Sequence, residues 1–249
     1  MSTVPVTIHG AEGRMGRLVT ELIDRTDGLE LAALITEVNR SSSAEAIHPR
    51  VPLTSQDRLA DVHPRGGVII DFSLAPALEG LLRGAEAVGA ALVIGTTGHS
   101  AEQYALIEAY AASRPVVLAS NFSVGIPVMT MLLERLADVL PDTFGAEQVE
   151  THHRHKMDRP SGTARSLSTT WTNRRGGESP PTHALRIGGV TGEHRWIFAD
   201  DEETIEIVHR AHSRRAFLRG IVPAVLFAAA RDRGLYDMGD VLAEAAAGR

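Results

Sequence analysis

One short segment limits the fold of this chain more than any other. It is Gly10-Ala11-Glu12-Gly13-Arg14-Met15-Gly16, set directly between a β-rich run at residues 4–8 and a helical pattern at residues 15–25. The spacing, G-x-x-G-x-x-G, is a variant of the dinucleotide-binding fingerprint. Glycines at such a turn let the backbone approach a pyrophosphate, whose charge is held by the free N–H groups and dipole of the helix that follows. The strand–turn–helix context is the one the motif requires. Gly10, Ala11, Gly13, Arg14, Met15 and Gly16 are therefore candidate cofactor-binding residues. An acidic residue for the adenosine ribose is expected about 20 residues further on, at the end of the second strand. The sequence there reads Leu34-Ile35-Thr36-Glu37-Val38-Asn39-Arg40-Ser41, which leaves two readings open. Glu37 binds the ribose hydroxyls, or Thr36, Arg40 and Ser41 accept a 2′-phosphate. The cofactor is accordingly NADPH or NADH.

The strand–helix rhythm continues from that turn. Strands are expected at 29–35, 68–72, 91–94 and 116–119, and helices at 76–88 and 101–112, the latter capped by Ser100. This alternation predicts an α/β fold built on a doubly wound parallel sheet of the Rossmann type. After Asn121 the rhythm changes to a long helix at 124–140, a strand at 147–153 and a helix starting near Ser161. A polar loop follows at 173–181. Strands at 184–187, 193–199 and 204–209 then suit an antiparallel sheet, and a helix returns at 216–230. The expected domains are 1–122 with 213–249 for the dinucleotide, and an inserted α+β domain at 123–212.

Composition narrows the function classes. The 249 residues carry a net charge of −6, which makes nucleic acid a poor partner. With no cysteine, disulfides, iron–sulfur clusters, thiolate zinc sites and cysteine nucleophiles are excluded. No apolar run approaches the ~20 residues of a membrane span, and residues 1–8 are too short and polar for a signal peptide. A soluble, cytoplasmic protein is expected.

Of the 25 basic residues 24 are arginines, and the lone lysine, Lys156, falls in the segment Glu150-Thr151-His152-His153-Arg154-His155-Lys156-Met157-Asp158-Arg159-Pro160-Ser161-Gly162-Thr163-Ala164. Three of the eleven histidines lie there too, and residues 152–165 carry a local formal charge of +3. Pro160-Ser161-Gly162-Thr163 reads as a loop running into a helix, with free N–H groups and two hydroxyls, hence an anion-binding corner. An imidazole acid, an ammonium and a helix N-terminus together suit a small, multiply charged carboxylate that must receive a proton. A zinc site on His152, His153 and His155 is disfavoured, because adjacent strand residues point to opposite faces. The patch is also short and free of aromatics, unlike a nucleic-acid surface.

These residues resemble the signature of the dihydrodipicolinate reductase (4-hydroxy-tetrahydrodipicolinate reductase) family of the diaminopimelate route to lysine. Further motifs fall in the family's order: Gly10 to Gly16, Asp71-Phe72-Ser73, Gly95 to Gly98, Ser120 to Gly125, Gly192-Glu193-His194, His209 to Ser213 and Gly234 to Met238. The resemblance implies NAD(P)H-dependent reduction of 4-hydroxy-tetrahydrodipicolinate, with His152 as general acid and Lys156 as its partner in catalysis. It implies that Phe72, Gly95, Thr96, Thr97, Ala119, Asn121 and Phe122 complete the cofactor site. Thr97, His153, Lys156, Ser161, Gly162 and Thr163 would hold the two substrate carboxylates. It further implies hinges near 123–124 and 213–214, and a homotetramer formed through the sheet of the inserted, substrate-binding domain. Gln148 stands where the family usually has Ile or Val, Arg159 where it has a small residue, Gly189 where it is often acidic, and the segment 165–191 is short. Two other functions share the same motifs: reduction of a related cyclic imine, and non-catalytic nucleotide-dependent regulation.

Overall fold

Apolar runs without polar interruption are stable as strands only when both faces of their sheet are covered, and the first half of the chain supplies four. The computed structural model describes residues 3–36 and 47–247. Among them, β1 (Val4–His9), α1 (Arg14–Asp24), β2 (Leu29–Thr36), β3 (Leu53–Ser55), α2 (Leu59–Val62), β4 (Val68–Asp71) and α3 (Leu78–Val88) come first. They are followed by β5 (Ala91–Ile94), α4 (Ala101–Ala111), β6 (Pro115–Leu118), α5 (Gly125–Val139), β7 (Gly145–His152) and α6 (Gly162–Arg175). Next come β8 (Thr182–Arg186), β9 (Gly192–Ala199), β10 (Thr204–Ala211), α7 (Ile221–Ala229), β11 (Gly234–Tyr236) and α8 (Met238–Ala247). The chain divides into two compact units, one running up to Phe122 and resuming at Leu218, the other Ser123–Phe217.

The first unit is the doubly wound sheet that the alternation predicts, all parallel, in the order β11-β6-β5-β4-β1-β2-β3. Period-2 alternation sorts its side chains into two cores. Val6, Ile8, Leu34, Val68, Ile70, Val93 and Val117 face α1, α7 and α8, whose Val19, Ile23, Val225 and Val241 complete that layer. Ala33, Ile35, Ile69, Leu92, Ile94 and Val116 face α2, α3 and α4. Ser100 caps α4 in a reciprocal capping box with Gln103, as its position before the helix suggests.

In the second unit the strand order is β10-β9-β7-β8. The sheet is mixed rather than antiparallel as expected, because β8 pairs with β7 in parallel through the connection made by α6. One face packs Trp196 and Phe198 against Met129 and Leu133 of α5 and Leu167 and Trp171 of α6. The helix α6 runs three residues into the stretch expected to be a loop. Its last turn is held by Arg174, which donates to both oxygens of Asp138 (2.6 and 2.8 Å), and by Arg175, which donates to the carbonyls of Ala137 and Pro141. The helix expected at 216–230 is broken: a 3-10 turn at Arg214–Leu218 precedes α7, and Gly220 between them donates to the Phe122 carbonyl. A Cβ at Gly220 would lie 2.5 Å from that same oxygen, so the break needs glycine.

Gln148, in place of the aliphatic residue usual in the family, is fully buried within the second core. Its amide donates to the Ala164 carbonyl (3.1 Å) and Thr182 Oγ1 (3.2 Å), and its oxygen accepts the indole N–H of Trp196 (3.1 Å). Gln148→Leu leaves that N–H buried without an acceptor. It is expected to destabilise the protein by about 1–3 kcal/mol in urea denaturation.

Candidate active site

In the first unit the glycine-spaced turn is tied to the end of β2. The N–H groups of Gly10 and Ala11 both donate to the Ile35 carbonyl, and that of Gly13 donates to the Gly10 carbonyl. Gly13 is then the N-cap of α1, so Arg14, Met15 and Gly16 are its first three residues and their N–H groups have no intrahelical acceptor. Two of the glycines are enforced by contact. Gly10 has φ +77°, and a Cβ there would lie 2.5 Å from the Phe72 carbonyl oxygen. A Cβ on Gly16 would lie 2.2 Å from the Gly10 oxygen. A cradle of bare backbone in front of a helix N-terminus fits a pyrophosphate.

The ends of β4, β5 and β6 lie side by side next to this turn. Gly95 donates to the Asp71 carbonyl, Ala119 to the Ile94 carbonyl and Phe72 to the His9 carbonyl. Phe72 stands edge-on to Phe122 (5.8 Å between centroids), and its ring fills the space where a Gly95 side chain would be. Thr96 is buried and Thr97 exposed. The structure thus brings together Gly10 to Gly16, Thr36, Phe72, Gly95 to Thr97, Ala119, Asn121 and Phe122 on one edge of the parallel sheet. Glu37 and Arg40 lie outside the described residues. Beneath the edge, His9 Nδ1 and the Ser73 N–H both donate to Asp71 Oδ1 (2.6 and 3.2 Å). Burial alone would raise the Asp71 pKa, but these bonds and the His9 charge hold it below its ordinary value.

In the second unit β7 delivers Glu150 and His152 to the same face, two residues apart. Glu150 is fully buried and accepts from His152 Nδ1, from both terminal nitrogens of Arg186 (3.0 and 2.7 Å) and from the Ser161 N–H (3.2 Å). Burial pushes its pKa up, yet the bonds from Arg186 and His152 outweigh it, so the carboxyl stays ionised. An ionised carboxylate only accepts, so Nδ1 of His152 carries a proton and Nε2 is the nitrogen left for chemistry. Gly192 flanks that nitrogen; a Cβ there would lie 3.1 Å away. Burial lowers the His152 pKa, Lys156 and Arg186 lower it further, and Glu150 opposes them.

Ser161 caps α6: its hydroxyl accepts the Ala164 N–H (3.1 Å) and faces His194 Nε2 (3.3 Å). Both polar groups of Ser161 are therefore engaged within the protein. The N–H groups of Gly162 and Thr163, first and second in α6, have no intrahelical acceptor. Lys156 Nζ is 2.8 Å from Asp158 Oδ1, and His153 lies three residues before it on the connection from β7 to α6. Arg186 gives no local signal in the sequence, His194 enters only within the Gly192-Glu193-His194 motif with no role of its own, and Glu12, whose carboxylate accepts the Thr36 hydroxyl (2.5 Å), is hidden inside the glycine motif. The role of Glu150 could have been read from its spacing to His152.

A parallel sheet with a glycine cradle at its edge, joined to a unit carrying a buried acid–imidazole pair, defines a nucleotide-dependent oxidoreductase. Residues 4–122 match the family described as dihydrodipicolinate reductase, N-terminus, and residues 125–242 match dihydrodipicolinate reductase, C-terminus. The chain is 36% identical to 4-hydroxy-tetrahydrodipicolinate reductase of Alkalilimnicola ehrlichii, over 96% of its length and 99% of that protein. It is 38% identical to the enzyme of the same name from an Anaeromyxobacter species, over 96% and 97% of the two chains. The fold is similar to that of a dipicolinate-bound dihydrodipicolinate reductase from Paenisporosarcina sp. TG-14, with a TM-score of 0.77 at 19% identity, over 96% of this chain and 99% of that one. The chain belongs to the dihydrodipicolinate reductase family.

His194 is pushed down to about 3 by burial and by the nearby His152 and His209. Unfolded, it titrates near 6.5. Between those values the unfolded chain binds the extra proton, so stability falls as pH drops from about 6.5 toward 3. His152 and His209 are shifted the same way by burial. His194→Gln should therefore flatten the pH dependence of the urea midpoint just below 6.5, above the carboxylate range. An unchanged slope would refute the assignment.

Proposed function

We propose that this chain catalyses the NADH- or NADPH-dependent reduction of 4-hydroxy-tetrahydrodipicolinate in the diaminopimelate route to lysine. The carrying observation is the buried Glu150–His152 pair standing in the same unit as Lys156 and the free N–H groups at the start of α6. The family membership supplies the substrate class, and a dianionic ring is what a locally cationic, donor-rich segment suits.

When bound, the reduced nicotinamide supplies a hydride to the unsaturated ring. The chain's part is binding and the proton. The turn at Gly10 to Gly16 holds the pyrophosphate, with Thr36 on the ribose side and Phe72, Gly95, Thr96, Ala119, Asn121 and Phe122 toward the reactive end. Gly162 and Thr163 take one substrate carboxylate on their N–H groups, with the Thr163 hydroxyl; Ser161 acts by capping the helix rather than by touching the ligand. Thr97, His153 and Lys156 complete the carboxylate contacts. His152 is the general acid, delivering its proton from Nε2 while Glu150 holds Nδ1. Burial and neighbouring cations keep this imidazole readily deprotonated in the resting protein. Negative charge on an arriving dianion shifts the balance back toward imidazolium, so protonation of the acid accompanies substrate binding.

The reading also places the enzyme in the cytoplasm and assembles it as a homotetramer through the face of the second sheet opposite α5 and α6, where Leu185 and Val208 are exposed.

Freshly generated synthase product mixed with the protein should oxidise NADH or NADPH, followed by absorbance; no oxidation of either sinks the proposal. In the same assay Lys156→Arg should lose about 10²-fold in kcat although charge is kept, because a planar guanidinium does not replace a compact ammonium. Glu150→Gln removes the charge that opposes deprotonation of His152. Its kcat should fall by about 10- to 100-fold at neutral pH, and the decline of activity with rising pH should move to lower pH. A purely structural role for Glu150 predicts a lower Tm with the pH profile unmoved.

A further inference from the structure

The family membership leaves the choice between NADH and NADPH open, and the end of β2 bears on it. In dinucleotide folds this strand end meets the adenosine ribose: a carboxylate accepts the 2′-hydroxyl of NADH, whereas a cation accommodates the 2′-phosphate of NADPH. Here β2 ends in Thr36, a buried neutral residue. Its single hydroxyl proton is donated to Glu12 Oε2 at 2.5 Å. Glu12 comes from the turn itself, between Ala11 and Gly13, and is partly exposed. Two backbone bonds, from Gly10 and Ala11 to the Ile35 carbonyl, fix the turn against the same strand end. A carboxylate thus stands at the tip of β2, although the last residue of that strand is neutral.

We propose that Glu12, anchored by Thr36, is the specificity-determining residue that reads the adenosine ribose and selects NADH over NADPH. The inference rests on the dinucleotide site assigned above. Thr36 cannot supply a donor to a 2′-phosphate while its proton is committed to Glu12. A 2′-phosphate, at close to two negative charges, would meet the Glu12 carboxylate directly, whereas a 2′-hydroxyl donates to it. The arginines of the first turns of α1 do not reverse this sign. Arg17 Nε is directed at the Glu12 backbone carbonyl (3.3 Å), and Arg14, the first residue of the helix, makes no ion pair with the Glu12 carboxylate among the described residues.

The test is a binding titration of the full chain with NADH and with NADPH, by calorimetry or nicotinamide fluorescence, without substrate. The wild type should bind NADH at least about tenfold more tightly. Glu12→Ala should lose most of that ratio, chiefly by tightening NADPH. Thr36→Val keeps the charge but frees it from its anchor, so it should weaken NADH while retaining part of the discrimination. Because the ratio compares two ligands on one protein sample, a modest loss of stability does not alter it. Equal or tighter NADPH binding in the wild type overturns the proposal, as does an unchanged ratio in Glu12→Ala, while leaving the dinucleotide site intact. Failure of both nucleotides to bind overturns that site as well.

Discussion

Burying an ionised carboxylate costs several kcal/mol unless donors replace the water it loses, and Glu150 meets that demand with four bonds drawn from three elements. His152 lies on its own strand β7, Arg186 ends the neighbouring strand β8, and the Ser161 N–H stands at the cap of α6. These contacts fix more than one side chain. Parallel pairing sets His152 opposite Arg186, so the guanidinium reaches Glu150 only in this register. The Ser161 bond in turn positions the first turn of α6, whose N–H groups form the anion corner. One shared carboxylate therefore sets the spacing between the His152 imidazole and the first turn of α6, the two groups to which the proposed function gives the proton and the substrate carboxylate. Removing it would leave Arg186, with only 1% of its side chain accessible, as an uncompensated cation.

The first unit uses the same device beneath a different site. Asp71, at the end of β4, accepts from His9 at the end of β1 and from the Ser73 N–H. That bond ties together two neighbouring strand ends just where Gly10 lies against the Phe72 carbonyl and the Ser73 nitrogen. The glycines permit the close approach and the buried His9–Asp71 pair holds it. Each unit thus carries an acid paired with a histidine under the surface, His9–Asp71 in the first and His152–Glu150 in the second.

Much of this was legible in the sequence because it follows from period and spacing. The parallel sheet was foretold by continuous apolar runs alternating with helical patterns, and the nucleotide turn by its glycines. What was missed depends on partners distant in sequence. The parallel pairing of β7 with β8 is decided by α6 carrying the chain back over the sheet, which strand periodicity does not report. β3, α2 and β11 span only three or four residues each, too short to show a period. At the site, residue types in the His152–Thr163 segment announced the chemistry, but Arg186 acts from 36 positions beyond Glu150 and His194 from 33 beyond Ser161. Ser161 shows what local sequence leaves out. A hydroxyl and an N–H in an anion-binding loop read as ligand contacts, and the fold also gives them internal partners in Glu150, His194 and the Ala164 N–H, which no local pattern reports.

The lone lysine gains its meaning from its present partner. Lys156 sits 2.8 Å from Asp158, and the pair is partly open to solvent, with 25% and 43% of the two side chains accessible. An ion pair of that exposure contributes only about 0–1 kcal/mol, so exchanging Asp158 for a substrate carboxylate costs little. In the proposed function, the aspartate holds the ammonium in place until a substrate carboxylate replaces it. Glu150 could not play that part, because its partners are buried and its release would cost far more. On the proposed reading the two acids, eight residues apart, divide the work by burial: Glu150 fixes the general acid permanently, and Asp158 releases the cation to the substrate.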